Sequence, residues 1–202
     1  LVLDLTPSKD RIYQEYMPDG YPIVNEQNRT DLLAAYLQSH TTVPVVWRYD
    51  LLRSQARQNP DRLLYYKTDT HWRQEKLPET AAVLAESMGA FISGNYTEYA
   101  LDLPFYGVYY GQSALPLPPE TLYYLSNDVL DSCIVTNHED QTIGGIYNME
   151  KKSGKDPYEI FLSGPRSLIT IENPNYKSDR ELIIVRDSFG SSIAPLLAGG
   201  YA

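Results

Sequence analysis

Strand-like and helix-like patterns alternate through residues 1–89, and this alternation constrains the fold more than any other feature. Apolar, β-rich runs predict strands, and apolar residues at helical spacing predict the helices between them. In chain order the segments are the strand "LVLDL", the helix "TDLLAAYLQSH" capped by Thr30, the strand "VPVVWR", the helix "DLLRSQARQ", the strand "RLLYYKT" and the helix "PETAAVLAESMG", with Pro78 in its first turn and Gly89 as its stop. The pattern predicts an α/β/α sandwich with a mainly parallel sheet.

The pattern changes between about Asn95 and Lys177, where Pro, Gly and Tyr dominate. Short β-type runs in this segment predict a mostly antiparallel insertion or subdomain: "TLYYLS", "SCIVTN", "YEIFLSG" and "SLITIE". The α/β pattern then returns as "ELIIVRDSFGSSIAPLLAGG". We therefore expect a single domain over 1–202 with an insertion at about 95–177. The chain starts without Met on a strand and stops just after a helix, which is typical of a fragment.

Composition excludes several classes of protein. The net charge is -9 and no basic run is longer than two residues, so we expect no nucleic-acid partner. No stretch approaches the roughly 18 consecutive apolar residues of a membrane span. The single cysteine, Cys133, excludes an internal disulfide and a thiolate-rich metal site.

The stretch "LYYKTDTHW" places Asp69, His71 and Trp72 where a buried strand enters a loop. The chain has only three histidines, so one beside a carboxylate and a tryptophan points to a role in chemistry. Residues two apart in extended backbone project from the same side. Asp69 can then hold one ring nitrogen of His71 while the other faces a nucleophile.

The stretch "ELIIVRDSFGSSIAPLLAGG" predicts a strand ending at Val185, a turn around Ser188 and a helix that runs to Gly199. A serine there lies at the carboxyl end of a sheet strand, and N–H groups of the following turn and helix can stabilise an oxyanion. The alternative is that Ser188 or Ser191 is a helix N-cap, which this stretch taken alone favours.

Parallel strands would bring the two stretches to one edge of the sheet, so together they predict a Ser–His–Asp triad. Metal binding is the chemical alternative, because two histidines and three carboxylates offer nitrogen and oxygen ligands. These residues are Asp69, His71, His138, Glu139 and Asp140. Their spacing matches no known metal motif and "NHED" is typical of a solvated turn, so we expect neither a metal nor another cofactor.

Tyrosine is over-represented, with 18 copies against 4 Phe and 2 Trp, and seven of them lie between Tyr96 and Tyr124. A ring that carries a hydroxyl suits a surface that faces polyhydroxylated ligands. We expect Tyr106, Tyr109 or Tyr110 to supply a sugar-binding wall beside the site. The alternative, an irregular loop held together by its rings, is favoured by the composition alone.

These motifs carry a resemblance to a known family. "LYYKTDTHW" closely resembles the signature of the DHHW proteins and of the AlgX- and AlgJ-like alginate O-acetyltransferases, which are bacterial envelope proteins with an SGNH-hydrolase-like α/β/α domain. "LTPSKDRIYQEYMP" is similar to the early strand and loop of that family, and "IIVRDSFGSSIAPLLAGGYA" is similar to its serine turn and helix. The resemblance spans both ends of the chain, and the central Tyr-rich region is not diagnostic.

The resemblance implies a triad in the order Asp, His, Ser along the chain, with Ser188 as nucleophile, His71 as general base and Asp69 as its orienter. Trp72 would pack behind the imidazole or line the substrate groove. It also implies acetyl transfer to an exported or cell-envelope polysaccharide, a membrane-bound acyltransferase as acetyl donor, and a place outside the cytoplasm, in the periplasm or on the cell surface, anchored or secreted in the full-length protein.

Two departures from the family pattern bear on the site. Arg73 and "QEKLP" follow "DTHW", where relatives carry a small polar residue and then Gly-Ala, and Arg186-Asp187 precedes the serine in place of Gly-Asp or Gly-Thr. Both changes keep the triad residues but can alter the oxyanion hole or the acceptor groove. The alternative function is a non-catalytic glycan-binding or scaffolding domain that keeps the fold.

Overall fold

The computed structural model describes residues 1–20, 29–58 and 61–202. The chain divides into two compact units, Leu1–Leu64 and Tyr65–Ala202. In the described part, no helix is both long and apolar enough to cross a membrane.

The first unit contains a parallel strand pair and its connecting helices. Its elements are β1 (Leu3–Leu5), α1 (Lys9–Ile12), a 3₁₀ helix (Gln14–Tyr16), α2 (Arg29–His40), β2 (Val45–Trp47) and α3 (Tyr49–Gln58). β1 pairs with β2 in parallel, with Leu3 opposite Val45. The strands and helices predicted before residue 59 are therefore present, although α2 begins at Arg29, so that Thr30 lies in its first turn rather than at its cap.

The second unit is mostly antiparallel. Its elements are a 3₁₀ helix (Gln74–Lys76), α4 (Pro78–Ser87), β3 (Thr97–Phe105), α5 (Val108–Ser113), β4 (Glu120–Ser126), α6 (Asp128–Ser132), β5 (Ile134–Asn137), β6 (Thr142–Gly144), 3₁₀ helices at Met149–Ser153 and Pro157–Ile160, β7 (Ile169–Glu172), α7 (Gly190–Leu197) and a 3₁₀ helix (Ala198–Gly200). β3 pairs with β4, and β5 lies between β6 and β7, all antiparallel.

A cluster of buried aromatic and aliphatic side chains joins the β3–β4 hairpin to the 3₁₀ helix at Pro157–Ile160. Its members are Tyr66, Leu101, Phe105, Leu122, Tyr158, Ile160 and Phe161. Each large side chain that is fully buried contributes roughly 1.5–3 kcal/mol to folding. The cluster therefore gives the loop that follows Tyr66 a rigid support.

Several predicted elements of the second unit are confirmed. Helix α4 has Pro78 as its first residue, and Gly89 follows it with a φ of 71°, a conformation that glycine adopts without strain. Three of the four predicted insertion strands are present as β4, β5 and β7. The fourth prediction, a strand at "YEIFLSG", is wrong. Pro157 starts a 3₁₀ helix there, and the Asp156 carboxylate caps it by accepting the Tyr158 N–H.

The strands predicted at "RLLYYKT" and "ELIIV" are not formed in the described part of the chain. At the first, only an isolated bridge joins Tyr65 to Trp72. At the second, Ile183 and Val185 are 90% and 99% exposed, because no described segment pairs with them. The only parallel pair among the described residues is β1–β2, so the fold is a mixed α/β arrangement of small sheets and the mainly parallel sheet is not confirmed.

Candidate active site

Asp69 and His71 form a buried pair that holds one edge of the imidazole. His71 Nδ1 lies 2.6 Å from Asp69 Oδ1, and the His71 backbone N–H donates to the same oxygen at 2.9 Å. An ionised carboxylate only accepts hydrogen bonds, so Nδ1 carries the proton. In the neutral ring the other nitrogen, Nε2, is then an acceptor with a free lone pair.

Ser188 completes the arrangement. Its Oγ lies 2.8 Å from His71 Nε2, and its residue is exposed while His71 is buried. With Nε2 as the acceptor, the hydroxyl of Ser188 donates its proton toward the base. The structure thus brings together the three residues of the predicted triad, all within the second unit.

The N-cap interpretation of the serines is wrong. Helix α7 has Phe189 at its N-cap position and no side chain caps it. The Ser188 hydroxyl is bonded to His71, and the Ser191 hydroxyl accepts from the Arg186 guanidinium at 2.7 Å. Asp187 stabilises the turn instead, because its carboxylate accepts the Phe189 N–H at 3.0 Å.

The backbone N–H groups after Ser188 already have hydrogen-bond acceptors, although the sequence predicted that they would be available to an oxyanion. The N–H groups of Phe189 and Gly190 bond the side chain and carbonyl of Asp187, and the N–H of Ser191 bonds the Ser188 carbonyl. Among the described residues, none accepts a hydrogen bond from the N–H of Ser188 itself. This group is the donor left beside the Ser188 hydroxyl for a developing oxyanion.

The environment of Asp69 keeps it ionised. Burial by itself raises the pKa of this carboxyl group, but the hydrogen bonds from the His71 side chain and backbone and from the Val108 N–H outweigh it, and the pKa is lowered from its ordinary value. The Val108 N–H lies 2.9 Å from Oδ2, so both oxygens of Asp69 have donors.

Side chains of the β3–β4 region hold the loop that carries Asp69. The Glu120 carboxylate accepts from both the backbone N–H and the hydroxyl of Thr68, at 2.8 and 2.9 Å. The Arg73 guanidinium pairs with the same carboxylate and lies over the Tyr66 ring, 4.1 Å from its centroid. Arg73, which departs from the family pattern, is therefore a buried structural residue of this chain.

Helix α5 places the tyrosine-rich segment beside Asp69. Its first N–H, from Val108, bonds Asp69, and the Tyr109 N–H bonds the Thr68 carbonyl at 2.9 Å. Tyr106 and Tyr109 are 41% and 40% exposed, and Tyr110 is half-buried against Tyr106, with the ring centroids 4.6 Å apart. The segment thus borders the triad and presents two rings to solvent.

Trp72 does not line a groove, which corrects one of its two predicted roles. It is 1% exposed, packs edge-on against Phe189 and donates from its indole N–H to Ser192 at 2.9 Å. A side chain this buried is out of reach of a substrate. Its other predicted role, packing behind the site, agrees with this position.

Metal ligation finds no support in the described residues, where no three ligand-type side chains are grouped. His138 bonds Thr170 at the exposed end of β5, and Glu139 pairs with Arg166. Asp69 bonds His71 Nδ1, and His71 Nε2 bonds the Ser188 hydroxyl.

Gly107, just before α5, allows the close approach of this helix to Asp69. A Cβ at Gly107 would lie 2.3 Å from Asp69 Cβ and 2.4 Å from the Thr68 carbonyl oxygen, so the backbone would have to move. We expect Gly107→Ala to lower the free energy of unfolding by about 1–3 kcal/mol, the usual cost of overpacking. Thermal or urea denaturation measures this.

The matched control is Gly111→Ala in the same helix, where a Cβ meets nothing within 4 Å. Alanine is the better helix former by about 1 kcal/mol, so this change should stabilise the protein. Equal effects of the two substitutions would contradict the close packing of α5 on Asp69.

The structure adds residues that the sequence did not single out. Gly107, Val108 and Glu120 hold the Asp69 loop. Tyr158 stacks on His71, and Ser192 bonds the Tyr158 hydroxyl. These contacts join residues far apart in the chain, and only Gly107, a lone glycine between tyrosines, left a local signal.

The chain matches the family model described as DHHW protein over residues 20–202. None of the curated proteins matches it significantly. A DHHW family protein from Eubacterium siraeum has a similar structure, with a TM-score of 0.77 and 21% identity over 99% of this chain and 66% of that protein. This chain therefore spans slightly less than two thirds of that relative.

PatB1 of Bacillus cereus, in a structure with a sulfonyl adduct, has a TM-score of 0.67 and 19% identity over 100% of this chain and 70% of PatB1. The O-acetyltransferase domain of Pseudomonas putida AlgJ gives a TM-score of 0.46 and 22% identity over 62% of this chain and 48% of that domain, too low a score to bear on the fold. At these identities, the two stronger likenesses establish a shared fold.

Proposed function

Because the chain belongs to the DHHW family, we propose that it is an acyl-ester enzyme that transfers an acetyl group from a donor to a sugar hydroxyl through an acyl-enzyme on Ser188. One observation carries the proposal. His71 Nε2 lies 2.8 Å from the Ser188 hydroxyl while Asp69 holds Nδ1, which is the geometry that general-base activation of a serine requires.

The reaction has two steps. As Ser188 Oγ attacks the acetyl carbonyl, His71 Nε2 takes the hydroxyl proton, and the donor's C–O bond breaks while His71 returns that proton to the leaving oxygen. The acceptor hydroxyl then gives its proton to His71 and attacks the acetyl-serine ester. The serine oxygen leaves and regains the proton. A sugar hydroxyl in the second step makes a transferase, and water makes an esterase.

The charges of the site suit this sequence. Asp69 is ionised and buried, so it stabilises the imidazolium that forms in each step. The N–H of Ser188 would donate to the oxygen of the tetrahedral intermediate. The exposure of Ser188 leaves its hydroxyl open to a donor that approaches from solvent.

PatB1 offers independent support, since its structure carries a sulfonyl adduct. Sulfonyl electrophiles attach to activated nucleophiles, and a serine beside a base is such a group. A rival, non-catalytic domain would have no need to keep the serine and histidine within hydrogen-bonding distance. The rival is therefore the weaker proposal.

A polysaccharide is the acceptor that we propose. Tyr106 and Tyr109 present their rings beside the triad, and aromatic rings with a hydroxyl pack well against sugar faces. The family resemblance adds an envelope location outside the cytoplasm, a membrane-bound acyltransferase as acetyl donor, and an SGNH-like α/β/α sandwich.

An aryl acetate tests the proposal, because water is the default acceptor of an exposed acyl-enzyme. We expect wild-type protein to release the phenol, with a burst equal to one acetyl group per chain if deacylation is slow. Mass spectrometry should find that acetyl group on the peptide with Ser188. Added oligosaccharide should divert acetyl from water to sugar, and a chelator should change nothing. No phenol release and no acetylated peptide would leave the binding-domain alternative ahead.

A further inference from the structure

The hydroxyl of Ser192 connects the two halves of the triad. Ser192 is fully buried in α7, one helical turn after Ser188. Its Oγ accepts from the Trp72 indole N–H at 2.9 Å and from the Tyr158 hydroxyl at 2.7 Å, and it lies 3.4 Å from the Phe189 carbonyl oxygen. A hydroxyl has two acceptor sites and one proton, so these three bonds use all of its capacity.

Its partners are neighbours of the triad residues in sequence or in space. Trp72 directly follows His71, and Phe189 directly follows Ser188. Tyr158 lies over His71, with the rings stacked at a centroid distance of 4.2 Å and an interplanar angle of 10°. A single oxygen atom thus links the loop of the base, the turn of the nucleophile and the ring that covers the base.

The imidazole needs such support. The bond from Nδ1 to Asp69 fixes one edge of the ring but leaves it free to swing about that bond, and a swing would move Nε2 away from Ser188. Tyr158 covers one face of the ring, while Phe189 lies near it at 5.2 Å and 52°. Burial raises the pKa of Tyr158 well above its ordinary value, so its hydroxyl keeps the proton that it donates to Ser192.

We propose that Ser192 and Tyr158 form a positioning unit that keeps His71 Nε2 aimed at the Ser188 hydroxyl. The proposal rests on the function proposed above and deepens it. Both residues are almost fully buried, at 0% and 3% exposure, so they act through His71 and Ser188 and do not touch the substrate. Removing the unit should slow acylation and leave substrate binding unchanged.

The test compares Ser192→Ala with Tyr158→Phe in single-turnover acylation by an aryl acetate. Ser192→Ala removes the shared oxygen, and we expect the acylation rate constant to fall by about 10- to 100-fold, the effect of a small misplacement of a catalytic group, with the apparent substrate Kd unchanged. Tyr158→Phe keeps the stacked ring and should cost less. The double variant should be close to Ser192→Ala, because both changes break the Tyr158–Ser192 bond and Tyr158→Phe adds only the loss of the longer contact, 3.2 Å, between its hydroxyl and the Trp72 carbonyl.

Tyr147→Phe is the matched control. This tyrosine packs against the same cluster, and its hydroxyl bonds Gln74 Oε1 at 3.0 Å and the Leu125 carbonyl, with no contact to the triad. It should lower stability as Tyr158→Phe does while the acylation rate stays within about twofold of wild type. If Ser192→Ala does not fold, Tyr158→Phe against Tyr147→Phe makes the same comparison.

An NMR measurement tests the positioning of His71 without depending on enzymatic activity. The His71 Nδ1 proton, held by Asp69, should give a low-field NMR signal that is sharp in wild type and Tyr147→Phe and broadened in Ser192→Ala. An unchanged signal and an unchanged acylation rate in folded Ser192→Ala would overturn the positioning unit. Absence of Ser188-dependent acylation in wild type would overturn the proposed function, and the NMR result would still decide the positioning claim.

Discussion

Ser188→Ala should abolish both the hydrolysis of an aryl acetate and covalent labelling by phenylmethanesulfonyl fluoride. Ser188 Oγ is the hydroxyl that bonds His71 Nε2. Because this base activates it, no other hydroxyl in the described structure is expected to form the acyl-enzyme. Removal of a triad nucleophile costs roughly 10⁶-fold in kcat and leaves only the weak catalysis that substrate binding and the oxyanion donor supply. Phenol release and mass spectrometry of the labelled peptide measure the two losses.

Ser191→Ala is the control for this prediction, because it removes a hydroxyl three residues further on. The Ser191 hydroxyl bonds Arg186 and does not touch His71, so labelling and hydrolysis should persist. Both variants should unfold near the wild-type temperature, since Ser188 is exposed and Ser191 loses one hydrogen bond. Equal activity in wild type and Ser188→Ala would remove the nucleophile assignment outright.

The triad could be predicted from sequence because its signals are local. Asp69 and His71 are two residues apart, and their side chains bond each other within one loop. Ser188 was placed by the apolar run, turn and helix that surround it. The distance between the two stretches, 117 residues, was bridged by assuming adjacent strand ends, and they meet although neither predicted strand is formed.

The residues that hold the triad in place could not be predicted from the sequence, because they act through tertiary contacts. Glu120 bonds Thr68, which is 52 residues away in the chain, and Tyr158 bonds Ser192, which is 34 residues away. No rule of sequence spacing predicts either bond. The strands predicted at "RLLYYKT" and "ELIIV" were wrong for a related reason. An apolar run shows that a segment favours extended structure, but a strand also needs a neighbouring strand to pair with. The sequence of the segment does not show whether such a partner lies beside it in the fold.

Asp69→Asn should leave the protein folded and lower the rate by about 10³- to 10⁴-fold, as in triads whose orienting carboxylate has been replaced. Three donors bond the Asp69 carboxylate: His71 Nδ1, the His71 N–H and the Val108 N–H. An amide presents an oxygen that accepts and an NH₂ group that only donates. If its NH₂ faces His71, the ring takes the other tautomer and Nε2–H points at Ser188, which cannot then lose its proton to the ring. Steady-state hydrolysis of the aryl acetate measures the loss.

The other amide orientation would place the NH₂ group against the Val108 N–H and disturb α5. This orientation would lower the free energy of unfolding, which is measured separately from the rate. Asp69 has a lowered pKa in the folded protein, so its contribution to stability is present above the unfolded value of about 3.9 and is lost as pH falls through the folded value. The difference in unfolding free energy between wild type and Asp69→Asn should therefore be largest near neutral pH and shrink below about pH 4. A rate within tenfold of wild type would show that His71 does not depend on Asp69 for its tautomer. A stability difference that is constant across this pH range would show that the carboxylate is not held ionised by its three donors.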